Sequence, residues 1–390
     1  MLTTKRWFDL SPHRRLYPLY ELIDRPTATA VYRDPLAGLR RTAGMFGKGS
    51  GFGSAIRRVC VQGFYTAETV SLVYESLKNC KRLSSLSCPW TVIRYLSHDA
   101  WQLLLTGRET QLQSLELQCI EPTTQQILEK ANWTDLDPLK AVDFSCLQRL
   151  KIFGNTTHMP ITDGDVFAIA STTTGLQEFY LSCNSSTTID SVVAVTEAAP
   201  TTLRVLEYSP RLRDGFWHSH PGSPNGGGQH YCTIFSQISR LETLSVSLPT
   251  VCADFFSANL GRLSGTLQVR AFHICEHEGS RWTAGTTGAL RDLLSQARGL
   301  IERCSRGGAQ DRLYVEIFFA GLVFEPGAHA VHGDFSAMQR RSAGRWSPDA
   351  VPSSKGPYGR TGLYDAGEEV LFSKINEADF LSGDQWLSPL

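Results

Sequence analysis

One short pattern of apolar positions recurs along the first three-quarters of the chain. In LQSLELQC, Leu112–Cys119, apolar residues take the first, fourth and sixth places: Leu112, Leu115 and Leu117. The phrase returns as IRRVCV from Ile56, LSSLSC from Leu83, LQRLKI from Leu147, LQEFYL from Leu176, LRVLEY from Leu203 and LETLSV from Leu241. A worn copy, LQVRAF, starts at Leu267. Successive starts lie 26 to 38 residues apart, close to the spacing of solenoid repeats. Strand side chains alternate faces. The fourth and sixth places therefore point together into a core, and the third, fifth and seventh point to the opposite surface. The first place anchors the turn that enters the strand. One unit cannot bury its own apolar face, so the copies are expected to stack.

Between the phrases, apolar spacing changes from two to three or four, which predicts helices. Thr66–Cys80 carries Val70, Val73, Tyr74 and Leu77 on one stripe. Ser97 can cap a helix bearing Trp101, Leu104 and Leu105, and Thr162 with Asp165 can open another by a capping box. Thr188 opens a stripe of Ile189, Val192, Val193 and Thr196. Ile234, Phe235 and Ile238, then Phe255, Phe256 and Leu260, suggest two more. The longest, near Thr287–Cys304, has Leu290, Leu293, Leu294, Ala297, Ile301 and Cys304 in line, and Leu313–Phe324 follows as a closing strand. Insertions at Trp133–Phe144 and Asp214–His230 break the rhythm.

The L-x-x-L-x-L phrase is the signature of leucine-rich repeats. Its recurrence predicts an α/β solenoid of the ribonuclease-inhibitor-like horseshoe type: parallel strands on the inner face, helices on the outer, irregular repeats. The ninth place of such a repeat often holds Asn or Cys, and Asn155, Asn184 and Cys275 fall there when counted from Leu147, Leu176 and Leu267. The expected divisions are a partly helical segment 1–54, the repeat domain 55–325 and a mostly disordered tail 326–390. The last part of that tail, EEVLFSKINEADFLSGDQWL, is expected to fold locally or dock back.

Composition narrows the function. Of 390 residues, 42% are hydrophobic, so a packed protein is expected, and 38 basic residues balance 38 acidic ones. A nucleic-acid binder would show a basic excess. The N-terminus lacks the apolar stretch of a signal peptide, and no apolar run approaches the ~20 residues that span a bilayer. Ten scattered cysteines then suit the reducing cytoplasm or nucleus. The glycines of GMFGKGSGFG, Gly44–Gly53, lack the Gly-Lys-Ser/Thr ending and preceding strand of a phosphate-binding loop.

The stretches IRRVCVQGFYTAETVSLVYESLKNCKRLSSLSCPW and LQRLKIFGN resemble fungal F-box/leucine-rich-repeat proteins over roughly 56–324. The resemblance implies a substrate-recognition subunit of a cullin–RING ubiquitin ligase, held by a Skp-type adaptor through an F-box. The Leu-Pro phrase and helices that open an F-box are not found before Ile56, where Pro12, Pro18, Pro26 and Pro35 stand instead. No adaptor-binding residue carries over.

Candidate chemistry is sparse. WHSHP, Trp217–Pro221, resembles part of a zinc deubiquitinase motif, but the matching later places hold Gly228 and Tyr231. His218, His220, His230 and Cys232 together have zinc-ligand types, which leaves a zinc-dependent hydrolase on the 214–232 insertion as a minor alternative. His273, Cys275 and His277 alternate and so share a face if one strand carries them all. Asp163 with Asp165 suits a helix N-terminus, and Glu276 with Glu278 lies at a repeat edge. These patterns weigh less than structural explanations, so the expectation is a protein without catalytic residues, metal or cofactor. What remains is the strand face opposite the core, named by Arg58, Gln62, Glu116, Gln118, Arg149, Lys151, Phe153, Glu178, Tyr180 and Glu207. Mixed charges around two aromatics are typical of protein–protein contacts. The expected role is protein binding, with or without a ubiquitin link, and with neither nucleic acid nor membrane as partner.

Overall fold

A computed structural model describes residues 56–60, 67–107, 109, 111–119, 139–154, 160–182, 186–209, 230–256, 263, 265–274, 277–278, 284–306, 313–319, 322–326, 335–340 and 372–382. The chain divides into two compact units, Met1–Glu178 and Phe179–Leu390. The architecture is α/β, and nine of its strands run parallel.

In the first unit, β1 (Arg58–Cys60), β2 (Ser85–Pro89), β3 (Ser114–Cys119) and β4 (Arg149–Gly154) lie side by side in chain order. Val59, Leu86, Leu115 and Leu150 are successive cross-strand partners, so each fourth place meets the next. Cys88, Leu117 and Ile152 do the same at the sixth place. First-place Leu83, Leu112 and Leu147 are buried. Burying each leucine is worth about 1.5–3 kcal/mol, so the alternation that sends them to one face also fixes the register. Gly154, with φ of 90°, turns the chain out of β4 in a conformation that side chains disfavour.

The backbone recurs with the leucines. Each second-place carbonyl accepts from the second- and third-place N–H groups of the next phrase. Arg57 O takes Ser84 and Ser85, Ser84 O takes Gln113 and Ser114, Gln113 O takes Gln148 and Arg149, and Gln148 O takes Gln177 and Glu178. One carbonyl, with two lone pairs, thus satisfies two donors at each strand entry.

The helices are α1 (Ala67–Leu77), α2 (Val92–Tyr95), α3 (His98–Leu105) and α4 (Asp163–Ala170). Ser97 caps α3 by accepting from Ala100 N at 3.2 Å. This helix buries Trp101, Leu104 and Leu105, and Trp101 meets Phe144 edge-on at 5.8 Å. At α4 the Thr162 N–H donates to Asp165 Oδ2 at 2.7 Å, as the capping pattern predicts. A long-range partner also holds that carboxylate: Arg94 grips it with both terminal nitrogens and donates to Pro160 O at 2.7 Å. The Asp163–Asp165 pair is structural.

The second unit holds β5 (Glu178–Ser182, whose first residue ends the first unit), β6 (Val205–Ser209), β7 (Thr243–Val251) and β8 (Thr266–Ile274). A two-residue β9 (His277–Glu278) runs back along β8, and β10 (Tyr314–Phe319) lies parallel on the other side of β8. Register corrects one reading of the sequence. Leu206 partners Leu244, and Leu244 partners Leu267, so Leu267 is a fourth place. The phrase begins at Ser264, whose hydroxyl side chain hid the frame, and Cys275 is not its ninth residue. The backbone agrees: Glu242 and Thr243 donate to Arg204 O, Gly265 to Glu242 O and Tyr314 to Gly265 O. A Cβ on Gly265 would stand 2.9 Å from Glu242 O, so glycine permits this approach.

Leu313–Phe324, expected as one closing strand, is two. β10 carries Val315 and Ile317 opposite Leu267 and Val269, then β11 (Leu322–Pro326) folds back antiparallel, with Ile317 beside Phe324. β12 (Phe335–Arg340) and β13 (Phe372–Asn376) continue antiparallel from within the stretch expected to be mostly disordered.

Helix α5 (Ile189–Ala198) is capped by Thr188, which accepts from Asp190 N at 3.2 Å. It buries Val195 where the pattern suggested Val193. α6 (Ala284–Arg306) buries Leu290, Leu293, Leu294, Ala297 and Leu300, and α7 (Glu377–Ser382) follows β13. The segments around Phe235 and Phe255 are short 3-10 helices, Tyr231–Gln237 and Ala253–Phe256. No helix among the described residues is long and apolar enough to cross a membrane.

Candidate functional site

Opposite the leucines, β1–β4 arrange their polar side chains in cross-strand rows. The third-place row is Arg58, Ser85, Ser114 and Arg149, and the fifth-place row is Cys60, Ser87, Glu116 and Lys151. Pro89, Gln118 and Phe153 form the seventh-place row. Glu116 is the centre: Ser87 Oγ donates to its Oε1 at 2.9 Å, and Lys151 Nζ stands 3.7 Å from its Oε2. Gln118 Nε2 donates to Ser87 Oγ at 2.6 Å and lies 3.7 Å from Cys60 Sγ. The Lys151 ammonium also sits 4.7 Å from the centre of the Phe153 ring, a cation–π distance. Arg149 Nε approaches Glu178 Oε2 to 3.1 Å.

Exposure sorts the expected surface residues. Arg58 is exposed, while Arg149, Phe153 and Glu178 are half-buried, as is Tyr180 in the second unit. Lys151 and Glu116 are mostly covered but keep some surface. Gln118, expected on an open face, is only 3% exposed, because it fills the space between Ser87 and Cys60. Gln62 lies outside the described residues.

The corresponding fifth-place row of the second unit is closed. Glu207, Ser245, Gln268 and Glu316 are partners in register across β6, β7, β8 and β10. Ser245 Oγ donates to Gln268 Oε1 at 3.0 Å, Gln268 Nε2 to Glu316 Oε2 at 2.5 Å, and Tyr314 OH to Glu316 Oε1 at 2.8 Å. Glu207 is 4% exposed and Glu316 0%. Glu207 therefore cannot meet a partner as expected: alternation says which way a side chain points, not what lies over it. Gln268 and Glu316 were absent from the expected surface. The signal for Glu316 was its place between Val315 and Ile317, a carboxylate at the fifth position of an apolar phrase.

Nucleophile chemistry finds little support at two thiols of the first unit, Cys88 and Cys146. Burial pushes the Cys88 thiol far up, with nearby Cys60 and Glu116 adding to the effect. Burial likewise raises Cys146 to about 11. Both stay protonated at neutral pH, and the thiolate is the reactive form.

The other candidates separate. His218, His220, Cys275 and Glu276 lie outside the described residues. His273 and His277 do not share a strand, because the chain reverses and His273 faces Glu278 across β8 and β9. His230 and Cys232 do stand together, beside Cys252, which the sequence reading did not single out.

No protein-family model matches this sequence, and no curated protein matches it.

Proposed function

We propose that this protein is a non-catalytic leucine-rich-repeat scaffold that binds another protein through the strand face of its first unit. The observation behind this reading is the set of rows on β1–β4. Arg58, Arg149, Lys151 and Phe153 offer cations and an aromatic ring above a ladder of leucines in register. Arginine and aromatic side chains on a rigid backing are the usual anchors of protein interfaces. Glu116 and Glu178 draw two of these cations into fixed positions, which lowers the entropy lost when a partner arrives. The partner that suits the face carries carboxylates around an apolar side chain able to cover Phe153.

The resemblance to F-box/leucine-rich-repeat proteins extends the proposal. The partner is then a protein destined for ubiquitination, and the chain serves as the recognition subunit of a cullin–RING ligase with a Skp-type adaptor, in the cytoplasm or nucleus. Two experiments separate the layers. Proximity labelling with the full chain should recover a set of proteins that disappears in the double variant Arg149→Glu, Phe153→Ala. An unchanged set removes this face as the binding surface. Mixing the purified chain with purified adaptor should give a complex on gel filtration; no complex leaves a scaffold without the ligase link.

A further inference from the structure

We infer that His230, Cys232 and Cys252 form a zinc-binding site in the second unit. One ligand atom from each lies within 4.8 Å of the others, and His230 Nε2 stands 3.2 Å from Cys252 Sγ. On a tetrahedral zinc ion, with Zn–N near 2.05 Å and Zn–S near 2.3 Å, neighbouring ligand atoms sit about 3.6 Å apart for N and S and about 3.8 Å for two sulfurs. The three atoms are thus gathered near the scale of one coordination sphere, and side-chain adjustments of up to about 1 Å complete it.

The ligands come from elements that hold them in place. His230 is the residue that enters the 3-10 helix Tyr231–Gln237, and Cys232 lies in its first turn. Cys252 stands between β7 and the 3-10 helix Ala253–Phe256. Phe235 and Phe255 lock the two short helices together, ring centres 5.6 Å apart, and Phe255 meets Phe256 edge-on. Thr233 Oγ1 donates to His230 O at 3.2 Å, and Tyr231 OH donates to Asp190 Oδ1 on α5 at 3.0 Å. Both cysteines are buried, whereas His230 is half-buried. An ion here would have a dry thiolate side and one side nearer solvent.

Ligand chemistry selects the metal. Two sulfurs and one imidazole, with no carboxylate in the cluster, suit zinc and exclude the oxygen-seeking magnesium and calcium. Three ligands come from the described residues, and a tetrahedral ion takes one more donor. The binding step balances simply: the two thiols release two protons, their sulfurs each form a bond to Zn²⁺, and neutral His230 gives a lone pair without losing a proton. A hydrogen bond between imidazole and thiol accounts for the 3.2 Å contact alone. Metal titration separates that bond from a shared metal ion.

The test uses the full chain, purified under reducing conditions. It should retain about one equivalent of zinc. After removal of that zinc, Co²⁺ titration should saturate at one equivalent, with thiolate-to-cobalt charge-transfer absorption and about two protons released per ion. Cys232→Ser and Cys252→Ser should each abolish the charge-transfer band, while Cys88→Ser in the first unit should leave it intact. The wild-type titration needs no variant to fold. Less than about half an equivalent of zinc and no charge-transfer band, in protein that still melts cooperatively, overturns the site. So does a band that survives both cysteine variants.

Discussion

The fifth-place rows of the two units share a backbone plan and differ in what surrounds them. In the first, Glu116 and Lys151 keep part of their surface beside buried Cys60 and Ser87, with Glu116 bonded to Ser87 and near the lysine. Glu207, Ser245, Gln268 and Glu316 are sealed, and their hydrogen bonds run from strand to strand. In water a polar side chain that loses its partner finds another. In a sealed row it cannot, so each bond there carries the desolvation cost of its loss. The same place in the phrase is thus partly open in one unit and sealed in the other.

Mutations can break or sharpen that contrast. The leucine ladders are common to both units, so Leu150→Ala and Leu244→Ala should each cost about 3–4 kcal/mol in urea unfolding, with no bias between units. The sealed row should come next. Glu316→Ala strips the acceptor from Gln268 and Tyr314 and should cost about 3 kcal/mol. If it costs no more than an exposed substitution, the row is not sealed. Gly265→Ala drives a Cβ into the Glu242 carbonyl and should cost about 2 kcal/mol. An unchanged urea midpoint would remove the register assigned to β8. Glu116→Ala in the partly open row strips the acceptor from Ser87 and the partner from Lys151 and should cost about 1–2 kcal/mol, less than Glu316→Ala.

The smallest effect should be a pH dependence at His98, on the surface of the first unit. The Asp99 carboxylate, then the Ala141 carbonyl, raise its pKa above the ordinary histidine value. The folded state therefore favours the protonated ring. The stabilisation is present below the unfolded histidine pKa and fades as pH rises through the folded one. An NMR titration should place its midpoint above that of a model peptide, and Asp99→Asn should bring it down.

Much of the framework was legible because strand alternation is a local rule. Leu86, Leu115 and Leu150 advertised their common face by spacing alone, and Ser97 and Thr188 advertised helix starts by side-chain chemistry. The errors arose where a local rule met a distant partner. Leu267 looked like a first place because position 264, the first place by register, holds serine. Asp165 read only as a cap, since nothing near it in sequence announces Arg94. Gln118 and Glu207 were expected to face a partner because burial of the second strand face depends on packing from elsewhere. Cys252 went unremarked because 20 residues and a strand separate it from Cys232, and only the fold brings them together.

The carbonyls of Arg57, Ser84, Gln113 and Gln148, each gripping two amides of the following phrase, have an effect on how such a chain can change. Those bonds are made by main-chain atoms, so drift among side chains at the second and third places leaves them intact, with proline the exception because it brings no amide hydrogen. The connecting segments are held to no such requirement and can lengthen without shifting where the next strand begins. Growth by insertion and constancy of strand entry are then compatible, which is how phrases 23 to 38 residues apart, from Ile56 to Ser264, still arrive in step.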